Sequence, residues 1–372
     1  MSDDEEYAKL LEGTILEVPK AKRPRKSAEP APEPELVTLL KLATSPQFWF
    51  PDGNVVVVAR DSLAFKVHRG VLARHSAVID NLLRAAKPPA EKGQSWDGCP
   101  VVHIPDSPKD FEWLLMALYD GPRLFKHGGR LPFNVVAALL ELGHKYNIEV
   151  IRQEALSRMK TCFCHSFATF RASVTFGTVV RGSEGHRYAE MALFTPVLEV
   201  IPTQDAIRAV NVIRLVKQTS MLPMALYLCT MIPAATLATG VMRPDGRCDT
   251  LSQEDLIRCI DARTTLAMRT CRKRETIWYS RWWRGVDAMC GNSRACREAI
   301  AVKMKAEREA RTIFPTAHPL ASLAPEIRTL SLCAACLEAM LAAEVEETRF
   351  VWEKLPADLR LDVPEWNAAL TK

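Results

Sequence analysis

Four cysteines carry the sharpest chemical signal in the sequence. Five residues separate Cys290 from Cys296, two separate Cys333 from Cys336, and 36 lie between the pairs. Thiolates are soft anionic ligands, and two pairs of them can close a tetrahedral Zn2+ site with Zn–S bonds of about 2.3 Å. A C-x-x-C pair at a helix start aims both sulfurs at one ion. His318, between the pairs, is an alternative fourth ligand. The competing reading uses the four as small buried apolar groups in a helical core, and the apolar Ala334-Ala335 spacer fits it. A thioredoxin-like role for Cys333 and Cys336 is disfavoured, because no βαβ pattern surrounds them. Cys162-Phe163-Cys164-His165 has no second pair nearby and reads as packing.

A second chemical pattern is basic and aromatic. Between 261 and 284, Arg269, Arg272, Lys273, Arg274, Arg281 and Arg284 lie among Trp278, Trp282 and Trp283. Over 253–311, Lys and Arg number 14 against 8 acids. Cations neutralise phosphates and aromatic rings stack on bases. The plainer account is an amphipathic helix, with Trp278 and Trp282 inward at i,i+4 and the charges solvated. The plainer account is preferred, so nucleic acid is not an expected partner.

Enzyme chemistry has no such foothold. The chain contains no G-x-S-x-G, no G-x-G-x-x-G after a strand, no P-loop and no H-E-x-x-H. Gly128-Gly129 is too short to cradle a phosphate, and histidines 68, 75, 103, 127 and 144 are scattered without a spaced nucleophile. The expectation is a protein that is not an enzyme.

With 372 residues there is room for two or three domains. Nearly half the residues are apolar and a quarter charged, a globular composition. A net charge of +5 is too small for a dedicated polybasic nucleic-acid binder. Eleven cysteines without a secretory leader point to reduced thiols inside the cell. The stretch 224–242 is the best membrane candidate, but Pro233 and Gly240 interrupt it, and it reads as core helix and turn.

Residues 1–35 combine acids, prolines and a basic run, and are expected to be a disordered tail. The basic run 20–26 has the composition of a nuclear localisation signal; residence is expected to be cytoplasmic or nuclear, with this run leaning nuclear. A lead helix is read at 36–42. Val55 to Val58 are all apolar, so that strand is expected to be covered on both faces. Leu63, Phe65 and Val67 alternate as in a half-buried strand. Val71, Leu72, Val78, Ile79, Leu82 and Leu83 share a helical face, and 86–100 reads as a surface loop. A strand follows at 101–104. Ser107-Pro108-Lys109-Asp110 starts a helix, with the serine at the cap and proline at the first turn, and Gly121-Pro122 ends it. Apolar stripes continue through two more helices to residue 160. Beyond Cys162 strand signals nearly vanish; helices are read at 186–199, 204–218, 222–231, 252–284, 294–312 and 330–354, with Ser252 capping one of them.

The order of these elements, and the string Phe65-x-Val67-His68-Arg69-x-Val71-Leu72-x-x-x-Ser76 followed late by Lys145-Tyr146-Asn147-Ile148, resemble the BTB/POZ domain, a protein–protein interaction module. Longer phrases, such as FWFPDGNVVVV and LSQEDLIRCIDAR, resemble BTB-domain proteins of mushroom-forming fungi. The resemblance implies a homodimer, and a partner drawn either from transcriptional co-regulators or from the cullin-3 scaffold of ubiquitin ligases. It also implies that Asp52 and Arg69 stand where the family keeps a buried charged pair near a partner groove. Kelch repeats and ββα zinc fingers are missing, and no cullin-contact motif is clear between Leu82 and Val101.

The resulting expectation is an α+β protein. It has a disordered tail at 1–35, a BTB/POZ domain at 45–160 and a helical region at 161–372 that holds at most one structural zinc. Its expected role is an interaction scaffold or adaptor, the alternatives being a cullin-3 substrate adaptor or a nuclear transcriptional regulator.

Overall fold

A computed structural model describes residues 42–85, 95–125, 129–181, 188–280, 290–309 and 318–366. The tail expected at 1–35, the basic run 20–26 and nearly all of the lead helix at 36–42 lie outside these residues.

Strands β1 (Ala43–Trp49), β2 (Val55–Ala59), β3 (Leu63–Val67), β4 (Ser95–Trp96) and β5 (Cys99–Ile104) form one sheet in the order β1-β3-β2-β5-β4. Every residue of β2 is buried, as its unbroken apolar run predicts. β3 departs from alternation. Lys66 is buried, and its ammonium is satisfied by Asp97 at 2.6 Å and the Pro51 carbonyl at 3.2 Å. The segment read as a surface loop contains the β4–β5 hairpin. Asp97 and Gly98 have φ of 52° and 73°, the left-handed pair that a two-residue turn with matching twist requires.

Helices α1 (Arg69–His75) and α2 (Ala77–Ala85) meet at Ser76, whose Oγ accepts from the Ile79 N–H and donates to the Tyr146 carbonyl. This break rotates the apolar stripe. Leu72, Ile79 and Leu83 are buried, Val71 is half-buried and Val78 is 43% exposed. Helix α3 (Pro108–Phe125) starts at Ser107 as expected, the Asp110 N–H reaching Ser107 Oγ. It does not stop at Gly121-Pro122; it kinks at Asp120 and continues, because proline removes a helical N–H and crowds the preceding turn. Helices α4 (Phe133–Lys145) and α5 (Glu149–Cys162) pack antiparallel across a tight junction. Asn147 is left-handed, φ 53°, while Ile148 N–H donates to the Gly143 carbonyl and Asn147 N–H to that of His144, a Schellman stop.

The second half is not purely helical. β6 (Leu131–Pro132), β7 (Thr175–Arg181), β8 (Tyr188–Phe194) and β9 (Leu198–Val200) form a sheet in the order β6-β9-β8-β7. The helix expected at 186–199 is therefore the strands β8 and β9. Ala189, Glu190, Met191, Ala192 and Leu193 are good helix formers, but seven-residue pairing with the β-branched β7 overrides that preference. The remaining α-helices and strands among the described residues are α6 (Phe167–Ser173), α7 (Pro202–Leu215), α8 (Leu222–Cys229), α9 (Ala234–Thr239), the ribbon β10 (Val241–Met242) and β11 (Cys248–Asp249), α10 (Gln253–Glu275), α11 (Ser293–Glu309), α12 (Ala324–Arg328) and α13 (Ala334–Asp358). Ser252 caps α10, accepting from the Asp255 N–H. The 224–242 stretch resolves into α8, buried throughout, a turn and α9. Among the described residues no helix is long and apolar enough to cross a membrane.

The core has no seam near residue 160. β6 pairs in parallel with β9, α5 runs through 160 and 161, and one apolar cluster extends from Phe48 to Leu359. A separate small cluster holds Ile277, Trp278, Ile300, Leu323, Ile327 and Met340.

Candidate functional site

The four cysteines singled out by spacing come together. Their sulfurs all lie within 4.8 Å of one another, with Cys290 Sγ and Cys333 Sγ 3.8 Å apart. Two helix starts bring them there. Cys290 precedes the Gly291-Asn292 turn, where Asn292 Oδ1 accepts from the Ala295 N–H, and Cys296 lies in the first turn of α11. Cys333 is the N-cap of α13, and Cys336 lies in its first turn. The backbone N–H of Cys333 donates to Cys296 Sγ at 3.3 Å. Hydrogen bonds from the Cys336 backbone N–H and then its side chain pull the Cys333 thiol down to about 6. Burial pushes Cys296 and Cys336 up, and the neighbouring thiols push Cys336 further.

His318 is not part of this cluster. Its Nδ1 lies 2.9 Å from the Tyr227 hydroxyl and its ring meets Phe176 edge-on at 4.7 Å. Burial, and then the nearby Lys273 charge, hold it down to about 4. The sequence placed it between the cysteine pairs; the fold turns it into the large core. Cys162 and Cys164 are buried, and burial raises both thiols, Cys164 to about 12. That environment suits packing.

The basic stretch on α10 is largely spoken for by the protein itself. Arg269 pairs with Asp358, its Nη2 at 2.6 Å. The Arg272 guanidinium sits 4.7 Å from the centre of the Phe350 ring. Lys273 is buried, donating to the Pro319 and Ala321 carbonyls, Glu344 and Thr348 Oγ1. Trp278 is fully buried in the small cluster, as the amphipathic account requires, whereas the buried Lys273 departs from its expectation of solvated charges. Arg281, Trp282, Trp283 and Arg284 lie outside the described residues.

Asp52 and Arg69 do not form a buried pair. Asp52 sits in the turn after β1, its side chain 81% exposed, and its Oδ2 lies 3.1 Å from His68 Nε2. That bond holds the Asp52 carboxyl below the usual range. The Arg69 side chain is 44% exposed, and its nearest carboxylate is Asp80 at 3.9 Å. The cause is local. A Cβ on Gly53 would lie about 3.0 Å from the Lys66 backbone, so the turn closes tightly against β3 and projects Asp52 outward. His68 Nδ1 lies 3.1 Å from the Tyr119 hydroxyl, and Phe50 stacks on Tyr119 at 5.2 Å. Asp52, His68 and Tyr119 thus make a polar line along an aromatic patch.

A charged junction that no spacing signalled ties the helices α3 and α4 to α7 and the β10–β11 ribbon. Arg208 of α7 grips Glu141 of α4 at 2.9 Å through both Nε and Nη2. Arg247 reaches Asp110 of α3 at 2.5 Å, and Arg243 pairs with Asp249. Burial would raise the Glu141 carboxyl, but Arg208, backed by Arg243 and Arg247, holds it below the usual range. A cleft of about 620 Å³ opens beside this junction, with Trp113, Phe133, Met242 and Arg243 on its walls. These partners are up to 137 residues apart in sequence, so no local pattern could have revealed them.

The curled sheet and the paired closing helices together make an α+β arrangement. The BTB/POZ domain model matches residues 52–162, so a BTB/POZ domain is present, followed by a mostly helical region. No curated protein matches the chain.

Proposed function

We propose that this protein is an interaction scaffold. It self-associates through its BTB/POZ domain and holds the region after residue 162 in a fixed pose for a second partner. The observation that carries the reading is the BTB/POZ match at 52–162, a domain class that generally mediates self-association and protein binding. The continuous core and the Arg208–Glu141 junction support the fixed pose. An isologous dimer would then present two copies of the second region at a set separation. Asp52 and Arg69, both exposed beside the His68–Tyr119 patch, are proposed as partner-facing residues.

Rigid fusion of a BTB/POZ domain to a second region also suits a cullin-3 substrate adaptor, in which distance between scaffold and target matters. The test is a quantitative pull-down from the native cell with the intact chain as bait, alongside its molar mass by light scattering. A dimer with reproducible partners is the expected result. Stoichiometric cullin-3 would select the adaptor reading. A monomer with no enriched partner would overturn the proposal.

A further inference from the structure

We propose that Cys290, Cys296, Cys333 and Cys336 form a tetrahedral tetrathiolate site for one Zn2+ ion, which clamps the start of α11 to the start of α13.

Three independent observations carry this. The first is distance. Four sulfurs at about 2.3 Å from a tetrahedral ion stand about 3.8 Å apart. The Cys290–Cys333 separation is 3.8 Å, and all four fall within 4.8 Å, so a contraction of no more than about 1 Å in any sulfur–sulfur separation completes the site. The second is electrostatic. Neither α11 nor α13 has an acidic residue in its first turn, although helix N-termini favour anions there. α11 instead opens Ser293-Arg294-Ala295-Cys296-Arg297, with two arginines at its positive end. A Zn2+ ion with four thiolates carries a net charge of −2, and both helix ends face it. The third is the second layer of hydrogen bonds. The Cys333 N–H already donates to Cys296 Sγ, the kind of contact that orients and stabilises a metal-bound thiolate.

The small cluster beside the site explains what the ion would do. Ile277, Trp278, Ile300, Leu323, Ile327 and Met340 form a core far smaller than the one spanning the rest of the protein. Cores of this size commonly need a metal or a cross-link to hold. Zn2+ binding displaces the thiol protons to solvent and joins two helix starts at one point.

The test uses the intact chain, expressed with zinc in the medium and purified under reducing conditions. Metal analysis by mass spectrometry is expected to find about one zinc per chain. Replacement with Co2+ should give the visible spectrum of a tetrahedral thiolate site. Chelation should raise the alkylation rate of Cys290 and Cys333 in the wild-type chain, with the exposed Cys248 as an unchanged internal standard. Cys333→Ser should lose the metal; if that variant fails to fold, the alkylation experiment on the wild type still decides. Less than a tenth of an equivalent of zinc in folded protein, iron in its place, alkylation that ignores the chelator, or a Cys290–Cys333 disulfide in the reduced preparation would each overturn the proposal.

Discussion

The two apolar clusters differ in how they are held. Around β2 and α4, long runs are withdrawn from solvent, and Val55 to Ala59 and Val135 to Leu140 are all buried. Burying a single large aliphatic side chain contributes about 1.5–3 kcal/mol, so this region is stabilised by many replaceable contacts. The cluster around Trp278 and Met340 has few such contacts. It is flanked by polar devices instead: four convergent thiols, the Arg274–Glu326 and Lys303–Glu326 pairs, and the buried Lys273–Glu344 contact. Where apolar area is plentiful, packing sets the structure and can override local preference, as it does at β8. Where it is scarce, specific side-chain chemistry takes over, and the outcome depends on residues distant in the chain.

The largest effect should come from attacking the large core. Leu72 is fully buried, and Leu72→Asp places an uncompensated charge there. The expected outcome is loss of cooperative unfolding and of soluble protein. Val71→Asp, at the half-buried neighbour, should remain folded with a lowered Tm. Equal behaviour of the two variants in thermal melts would mean that α1 is rotated from its place here.

Next is the junction between the two halves of the large core. Arg208→Ala leaves the largely buried Glu141 without its closest cation and removes a second, more distant cation from Asp110, which keeps Arg247. Breaking one side of a buried pair costs about 3–5 kcal/mol. The variant should lower the denaturant midpoint accordingly, and Arg208→Lys should recover only part, since a lysine cannot reproduce the two-point grip. A midpoint unchanged within error would show that solvent enters the junction.

A smaller, pH-dependent effect should come from His318. An unfolded imidazole takes up a proton below about 6.5, whereas the buried ring does so only near 4. Between these values the unfolded chain binds more protons, so acid favours unfolding. The contribution is fully present above about pH 6.5 and is lost as pH falls towards 4. Its size is about 3 kcal/mol. Stability measured from pH 7 to 4.5 should fall, and His318→Gln should flatten that slope. An unaltered slope would place the titration elsewhere.

Much of this was legible from spacing. Ser107 and Ser252 declare their helices, because a capping oxygen and the N–H it serves are three residues apart. The unbroken Val55–Val58 run declares a doubly covered strand. The four cysteines declare their meeting because ligand spacing at helix starts is a local pattern. The misses have one origin. β8 looks helical until β7 pairs with it, Lys66 looks exposed until Asp97 arrives from the β4–β5 turn, and the Arg208, Arg243 and Arg247 junction joins segments that no window spans. Asp97-Gly98, flanked by Trp96 and Cys99, is a two-residue hairpin turn legible in the residues themselves.

The smallest structural effect, and the most direct test of the interaction face, is Asp52→Asn. Asp52 projects from the turn, and its contact is with His68 at the surface. Exposed ion pairs contribute little to stability because water and salt screen them, so the melting temperature should not move. A partner that reads the Asp52–His68–Tyr119 line by charge should nonetheless bind more weakly, most visibly at low salt, where screening is least. Arg69→Ala should behave in the same way. If both variants retain full pull-down yield and dimer mass, the interaction face is elsewhere on the BTB/POZ domain. If binding falls while the melting curve is superimposable on the wild type, the contrast sharpens: the large core supplies rigidity, and a thin line of polar groups over it, with Asp52 at its exposed end, supplies recognition.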